Sequence, residues 1–148
     1  MLLLQVRIET SPQFLTQLGE FTTAYTRFRF HPRTAEKLAL ASNELIENAV
    51  SYGSVSGDVV YMLHESDHDI EVCVSNHAPP GRLSNLRTHI DRIRADPQRV
   101  FEDEMSRSVS GTGGRASLGL ARICHEAQMD LELEVDGNRI TMRARCTK

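Results

Sequence analysis

The chain has 148 residues, 40% of them hydrophobic and 25% charged, and a formal net charge of −3 at pH 7. This length fits one domain, residues 1–148, with a sizeable core that needs no metal or disulfide support. The charge balance excludes a general basic surface for nucleic acid, and no apolar run approaches the length that crosses a membrane. The three cysteines have no C-x-x-C spacing, so we expect a soluble cytoplasmic protein without a zinc site.

The N-terminal segment is predicted to form a strand and then a helix. Apolar residues alternate with polar ones from Leu2 to Ile8, which is the period of a half-buried strand. Ser11 and Pro12 are typical of a helix start. The helix then carries apolar residues at steps of four and three, namely Phe14, Leu18, Phe21, Tyr25 and Phe28. We interpret these aromatics as core residues, and a dimer contact on the same face is the alternative.

A second helix, which ends at Gly53, carries the residues on which a functional interpretation depends. His31-Pro32 breaks the chain before it, and its apolar stripe consists of Leu38, Ala41, Leu45, Ala49 and Tyr52. Glu44 and Asn48 are four residues apart, so their side chains leave the same face of the helix. A carboxylate beside an apolar stripe can act as a general base, and an asparagine oxygen suits a magnesium ion that already carries nucleotide phosphates. Alternatively, the two residues only edge a buried helix.

The middle of the chain is predicted to form a hairpin followed by a helical insert. Residues 58–64 and 70–75 alternate as two strands around a polar turn, and the second strand leads into the loop Asn76-His77-Ala78-Pro79-Pro80-Gly81. A loop at the carboxyl end of a strand is a favoured place for a site. Two modest, loosely anchored helices are predicted between Arg82 and Met105, with Pro97 between them.

The last third of the chain is predicted to contain a loop, a helix and a second hairpin. Residues 106–114 are rich in Ser, Thr and Gly, which predicts a mobile segment, and a helix opens near Ala116. A glycine-rich loop before a helix favours phosphate, since free backbone N–H groups and the helix dipole both attract an anion. Asp136-Gly137 is a turn signal between two alternating runs. The order of elements predicts an α+β two-layer sandwich with a mixed, mostly antiparallel sheet and helices on one face.

Three segments resemble the boxes of the histidine-kinase-like ATPase superfamily, also called GHKL. Glu44-Leu45-Ile46-Glu47-Asn48-Ala49 matches the first box, E-x-x-x-N-A. Asn76 stands where the second box, D-x-G-x-G, has the Asp that binds the adenine amino group, and both glycines of that box are absent. The third box, G-x-G-L-G-L, is matched in part by Gly113 and Gly114 followed by Ser117-Leu118-Gly119-Leu120. The size of the chain is most similar to that of the single-domain anti-sigma-factor serine kinases.

The resemblance implies ATP and Mg²⁺ bound under a lid of about residues 81–114, with Glu44 as catalytic base and Asn48 as metal ligand. It implies nucleotide contacts from Asn48, Ser51, Tyr52, Asn76, Ala78, Gly113, Gly114, Arg115, Ser117, Leu118 and Gly119. Many kinases of the family have a basic residue where this chain has Ser51, and Arg107 or Arg115 could substitute for it. Asn76 lacks the charge assistance of an Asp, which weakens adenine binding roughly tenfold.

Two functions are compatible with these features. The first is an ATP-dependent serine/threonine protein kinase of the partner-switching type, which phosphorylates a small antagonist protein. The second is a module that binds nucleotide weakly or not at all and regulates by sequestering an antagonist domain or a sigma factor. Asn76, Ser51 and the rigid pair Pro79-Pro80 favour the second function. The resemblance to the anti-sigma kinases also implies a homodimer.

Overall fold

The described part of the chain contains five strands and five helices. The computed structural model describes residues 1–9, 11–53 and 57–148, and the side chains of Pro12, Tyr52, Arg115 and Ala116 lie outside the described set. The strands are β1 (Leu2–Glu9), β2 (Asp58–Glu65), β3 (Asp69–His77), β4 (Asp130–Asp136) and β5 (Arg139–Thr147). The helices are α1 (Pro12–Arg29), α2 (Pro32–Tyr52), α3 (Pro80–Ala95), α4 (Pro97–Val109) and α5 (Arg115–His125). Each predicted strand and helix is therefore confirmed.

The strands form one sheet in the order β1-β2-β3-β5-β4. All four pairings among the described strands are antiparallel, so the α+β sandwich is confirmed and its sheet contains no parallel pair in this part of the chain. Two hairpins build most of it, β2 with β3 and β4 with β5, and the β3–β5 pairing joins them. Because β3 is the central strand, Asn76 at its carboxyl end lies opposite Ile140 in the interior.

The two faces of the sheet are stabilised differently. On the helix-covered face the side chains of Val72, Val74 and Met142 are fully buried. On the other face, which we call the open face, the arginines of β5 reach carboxylates on both neighbouring strands. Arg145 pairs with Glu71 at 3.0 Å and Glu132 at 3.9 Å, and Arg143 pairs with Glu71 at 3.6 Å and with Glu134. Beneath these side chains lie Val60, Cys73 and Ser75, all buried.

Helix α1 is rotated relative to the sequence-based expectation. Phe14, Phe21 and Phe28 are 51%, 50% and 90% exposed, so their assignment to the core was wrong. Leu18 of the predicted stripe is buried and Tyr25 packs against the core, as expected, and Leu15, Thr22 and Thr26 complete the buried face. The two threonines can be buried because their hydroxyls donate to Gly19 O and Thr23 O of the same helix. The three phenylalanines, seven residues apart, form an exposed phenylalanine stripe along α1.

The helical insert is held more firmly than predicted. Leu86, Ile90 and Ile93 of α3 are 3% exposed or less, so this helix is anchored in the core. The predicted mobile segment is also partly wrong, because residues 106–109 form the last turn of α4. None of the described helices is both long enough and apolar enough to cross a membrane.

A buried hydrogen bond joins α2 to the sheet, since the hydroxyls of Tyr61 in β2 and Ser42 in α2 lie 3.0 Å apart. Burial raises the pKa of Tyr61 from 10.0 to about 12. A raised pKa means that the full stabilisation is present below about pH 10 and is lost as the pH rises towards 12.

We expect the free energy of unfolding of Tyr61→Phe to fall less at alkaline pH than that of the wild type, because the variant lacks the ionisable group. At neutral pH the variant should be less stable by about 1 to 3 kcal/mol, since the Ser42 hydroxyl loses a buried partner. Urea unfolding at about pH 8 and about pH 11 measures both effects. Ser42→Ala, which keeps Tyr61 buried, should retain the alkaline loss. An unchanged pH dependence in Tyr61→Phe would contradict the assignment.

Candidate functional site

Helix α2 places the candidate site because it packs directly against β3. Leu38, Ala41, Leu45 and Ala49, at helical spacing, are fully buried. Glu44 and Asn48 each precede a residue of this stripe, so both are drawn into the interior with it, to 9% and 0% exposure. Their predicted placement on one face of a helix is confirmed.

Asn48 has an unpaired buried acceptor. Its Nδ2 donates to the backbone carbonyl of Glu44 at 2.8 Å, which fixes the orientation of the amide. Its Oδ1 is buried and has no hydrogen-bond partner among the described residues. An interior acceptor without a donor costs about 1 to 3 kcal/mol, so this oxygen is suited to a ligand. A neutral oxygen donor fits the predicted Mg²⁺.

Asn76 has a second unpaired buried acceptor. Its Nδ2 donates to the carbonyls of Ala49 and His77, at 3.3 Å each, and a carbonyl can only accept. The Oδ1 must therefore point away from them, and it too is buried without a partner among the described residues. A ligand amino group, such as that of adenine, would satisfy it.

Gly53 permits this approach of α2 to β3. A Cβ at this position would lie 2.1 Å from Ala49 O and 3.0 Å from Asn76 Nδ2. A larger residue would therefore push the end of α2, which carries Asn48, away from β3, which carries Asn76. The segment after Asn76 is not the expected loop. Asn76 and His77 still belong to β3, and α3 begins at Pro80. Ala78 between them is buried and donates its N–H to Asn138 O at 2.9 Å.

Helix α5 covers the carboxylate of Glu44. Arg122 Nη1 donates to Glu44 Oε1 at 2.7 Å. One turn earlier on α5, a Cβ at Gly119 would fall 2.1 Å from Glu44 Oε2, so the backbone of Gly119 abuts the carboxylate. This buried glycine therefore makes room for Glu44, a role different from the phosphate contact predicted for it.

A groove of about 1140 Å³ runs between α1, α2 and α5. Of the predicted site residues, it is lined by Glu44, Ser51, Leu118 and Gly119. The other described ones are not part of its lining, namely Asn48, Asn76, Ala78, Gly113, Gly114 and Ser117. Arg122 and Arg27 supply positive charge to this groove, and Glu20 and Glu47 supply negative charge. Glu44 thus lines the groove, whereas the two asparagines do not.

The glycine-rich segment before α5 differs from the predicted phosphate loop. The N–H of Gly113 already donates to Arg107 O at 3.0 Å, and a Cβ there would lie 2.9 Å from Arg107 Cβ. A glycine is therefore required at position 113 for packing against α4. Gly114 is the exposed N-cap of α5, and the carbonyl of Ser117 lies 3.2 Å from His89 Nε2.

One of the two basic residues expected near Ser51, Arg107, has another contact. Arg107 Nη1 lies 3.3 Å from Glu104 Oε1. The side chain of Arg115, like that of Tyr52, lies outside the described residues. Instead, Arg82 at the start of α3 donates to the carbonyl of Ser51. Among the described residues no group of three or more His, Cys, Asp or Glu could hold a metal ion. A Mg²⁺ on Asn48 would therefore depend on phosphate oxygens of its nucleotide.

Neither a protein-family model nor a curated protein matches the sequence. Among solved structures, the fold is similar to a chain in the crystal structure of the SiaB–SiaC complex from Pseudomonas aeruginosa, with a TM-score of 0.68 and 16% sequence identity. The alignment covers 99% of this chain and 91% of that chain. The similarity establishes a shared fold over nearly the whole length.

Gly119→Ala tests the contact between α5 and Glu44. We expect it to destabilise the protein by about 1 to 3 kcal/mol, because the new methyl group overlaps the carboxylate. Gly81→Ala, at a helical glycine with no atom within 4 Å of the added Cβ, should be neutral or stabilising. In a Glu44→Ala background the overlap is absent, so Gly119→Ala should cost less there than in the wild type. Thermal melting of the variants measures these differences, and equal stability of Gly119→Ala and Gly81→Ala would contradict the contact.

Proposed function

We propose that the protein is a cytoplasmic, ATP-binding regulator of the partner-switching type that phosphorylates a serine or threonine of a small antagonist protein. One observation carries the proposal: the buried amide oxygens Asn48 Oδ1 and Asn76 Oδ1 have no donor in the part of the chain that the structure describes. Their segments are joined by the hydrogen bond from Asn76 to Ala49. A nucleotide amino group and a cation would satisfy the two oxygens, and a carboxylate lies one helical turn from Asn48.

Each residue has a distinct role in the proposed reaction. Asn76 Oδ1 accepts a hydrogen bond from the adenine amino group, and Asn48 Oδ1 binds Mg²⁺. Bound ATP with Mg²⁺ supplies the phosphoryl group. Glu44 accepts the proton of the attacking hydroxyl, whose oxygen gains the phosphoryl group, and ADP is the other product. Leu118 and Gly119 stand beside Glu44 in the groove wall.

A protein partner is part of this proposal. The structural neighbour comes from a complex of two proteins, SiaB and SiaC, which supports a role in binding another protein. The groove beside Glu44, at about 1140 Å³, is large enough for a segment of a polypeptide chain. Either an antagonist domain or a sigma factor fits the role of partner.

The alternative function is a binding module that does not depend on nucleotide. One specific contact favours it: the N–H of Gly113 donates to Arg107 O and is therefore not available to a phosphate. The phenylalanine stripe supplies an apolar surface for such a module. Its seven-residue spacing is that of a seam between paired helices, so we also propose that two copies of the chain associate through α1.

Calorimetric titration with ATP and Mg²⁺ separates the two functions. We expect binding by the wild type, and Asn48→Ala should lower the affinity about tenfold or more and remove its dependence on Mg²⁺. Asn76→Ala should weaken binding with or without Mg²⁺, because it removes the adenine contact. Asn85→Ala, at an exposed position of α3, is the matched control and should bind as the wild type does.

If the wild type gives no heat and no thermal stabilisation at roughly millimolar ATP, the kinase proposal fails. The nucleotide-independent module then remains.

The phenylalanine stripe is tested by the double variant Phe21→Ser/Phe28→Ser. We expect the wild type to sediment as a dimer and the variant as a monomer, because two apolar contacts of the seam are lost. Its melting temperature, measured at a concentration where both proteins are monomeric, should change little, since both side chains are exposed. Val109→Ser, at an exposed position of α4, is the control. A monomeric wild type would exclude the dimer.

A further inference from the structure

Arg122 contacts the proposed base, and none of the three sequence boxes assigns it a role. Its Nη1 donates to Glu44 Oε1 at 2.7 Å, and its Nε donates to Glu126 Oε2 at 2.9 Å. Glu126 follows the last residue of α5, about one turn after Arg122, so it holds the guanidinium in the direction of α2. Burial lowers the pKa of Arg122, but the contacts with Glu126 and Glu44 outweigh burial and raise it, so the side chain stays charged.

Glu44 is held from two sides. The guanidinium of Arg122 contacts Oε1, and the backbone of Gly119 abuts Oε2. The side chain of Glu44 is 11% exposed and that of Arg122 is 37% exposed, so the pair lies in the wall of the groove with the carboxylate on the inner side. The carboxylate cannot change direction unless α5 or Arg122 moves.

A base must be held where one of its oxygens can meet the proton of the hydroxyl. The guanidinium of Arg122 on one carboxylate oxygen and the backbone of Gly119 beside the other limit the rotamers of Glu44. The other charged side chains of this groove, Glu20, Arg27 and Glu47, lie on α1 and α2 rather than on α5.

We infer that Arg122 is a positioning residue for Glu44, which holds the carboxylate in one orientation at the groove wall, directed towards the reacting hydroxyl. The role rests on the proposed function. It adds to the predicted boxes a residue that touches neither nucleotide nor substrate and acts through Glu44.

The test compares Arg122→Gln, Arg122→Lys and the control Arg29→Gln. Arg29 forms a similar pair with Glu65 at 2.8 Å, with side chains 43% and 14% exposed, but joins α1 to β2 outside the groove. ATP affinity is measured by calorimetry, and single-turnover hydrolysis of ATP measures the chemical step with water as acceptor. We expect Arg122→Gln to bind ATP within about threefold of the wild type and to hydrolyse it about 100-fold more slowly. Arg122→Lys should recover part of the rate, and Arg29→Gln should match the wild type.

A second measurement needs no nucleotide. The melting temperatures of Glu44→Gln, Arg122→Gln and the double variant form a cycle, and the loss in the double variant should be smaller than the sum of the single losses. Additive losses would show that the pair does not form in solution, which overturns the inference.

The remaining outcomes separate the inference from the proposed function. If the wild type hydrolyses ATP and Arg122→Gln is equally fast or faster, only the positioning role is wrong. If Arg122→Gln is folded but loses ATP affinity, Arg122 contacts the nucleotide and the positioning role is again wrong. If the wild type does not bind ATP, the proposed function fails and the ion pair is structural.

Discussion

Burial of α2 against the central strand is the interaction on which the rest of the structure depends. Its fully buried stripe includes Leu38 and Leu45, and burying a leucine side chain contributes about 1.5 to 3 kcal/mol. Glu44 and Asn48 are each adjacent in sequence to a residue of this stripe, so the packing of the helix carries them inside. Their burial is a consequence of apolar packing, which also offsets the cost of Asn48 Oδ1, a buried acceptor without a partner among the described residues. The rotation of one helix thus sets the chemistry of the site.

Most of the fold could be predicted because its signals are local. The hairpins β2–β3 and β4–β5 have clear alternation around polar turns, and α2 is bounded by Pro32 and Gly53. The exact orientation of α1 could not be predicted, because Leu18 has a helical spacing both with Phe14 and Phe21 and with Leu15 and Thr22. Aromatic side chains are the stronger hydrophobic signal in the sequence, yet the smaller side chains are the ones buried in the structure. The threonines among them can be buried because their hydroxyls donate to backbone carbonyls of the same helix.

The candidate site likewise contains residues that the sequence predicts and contacts that it does not. Glu44, Asn48 and Asn76 could be found from spacing and resemblance, and the structure places all three at the α2–β3 contact or its edge. The ion pair of Glu44 with Arg122 could not be found, because 78 residues separate the partners and no local pattern marks them. The N–H of Gly113 counted as available for a different reason: residues 106–114 were predicted to be a mobile segment, whereas α4 extends to Val109 and its Arg107 carbonyl accepts this N–H. The placement of neighbouring elements thus decides which polar groups remain for a ligand.

The open face of the sheet has a consequence for how the fold tolerates change. Arg143 lies opposite Cys73 in the strand register, and its aliphatic stem shields that side chain while its charge stays with Glu71 and Glu134. The aliphatic parts of such side chains therefore cover the open face of the sheet, where no helix lies. Truncating an arginine there would act as a core mutation does, by wetting apolar groups. The apolar groups on the open face are thus kept from water by side chains that are themselves charged.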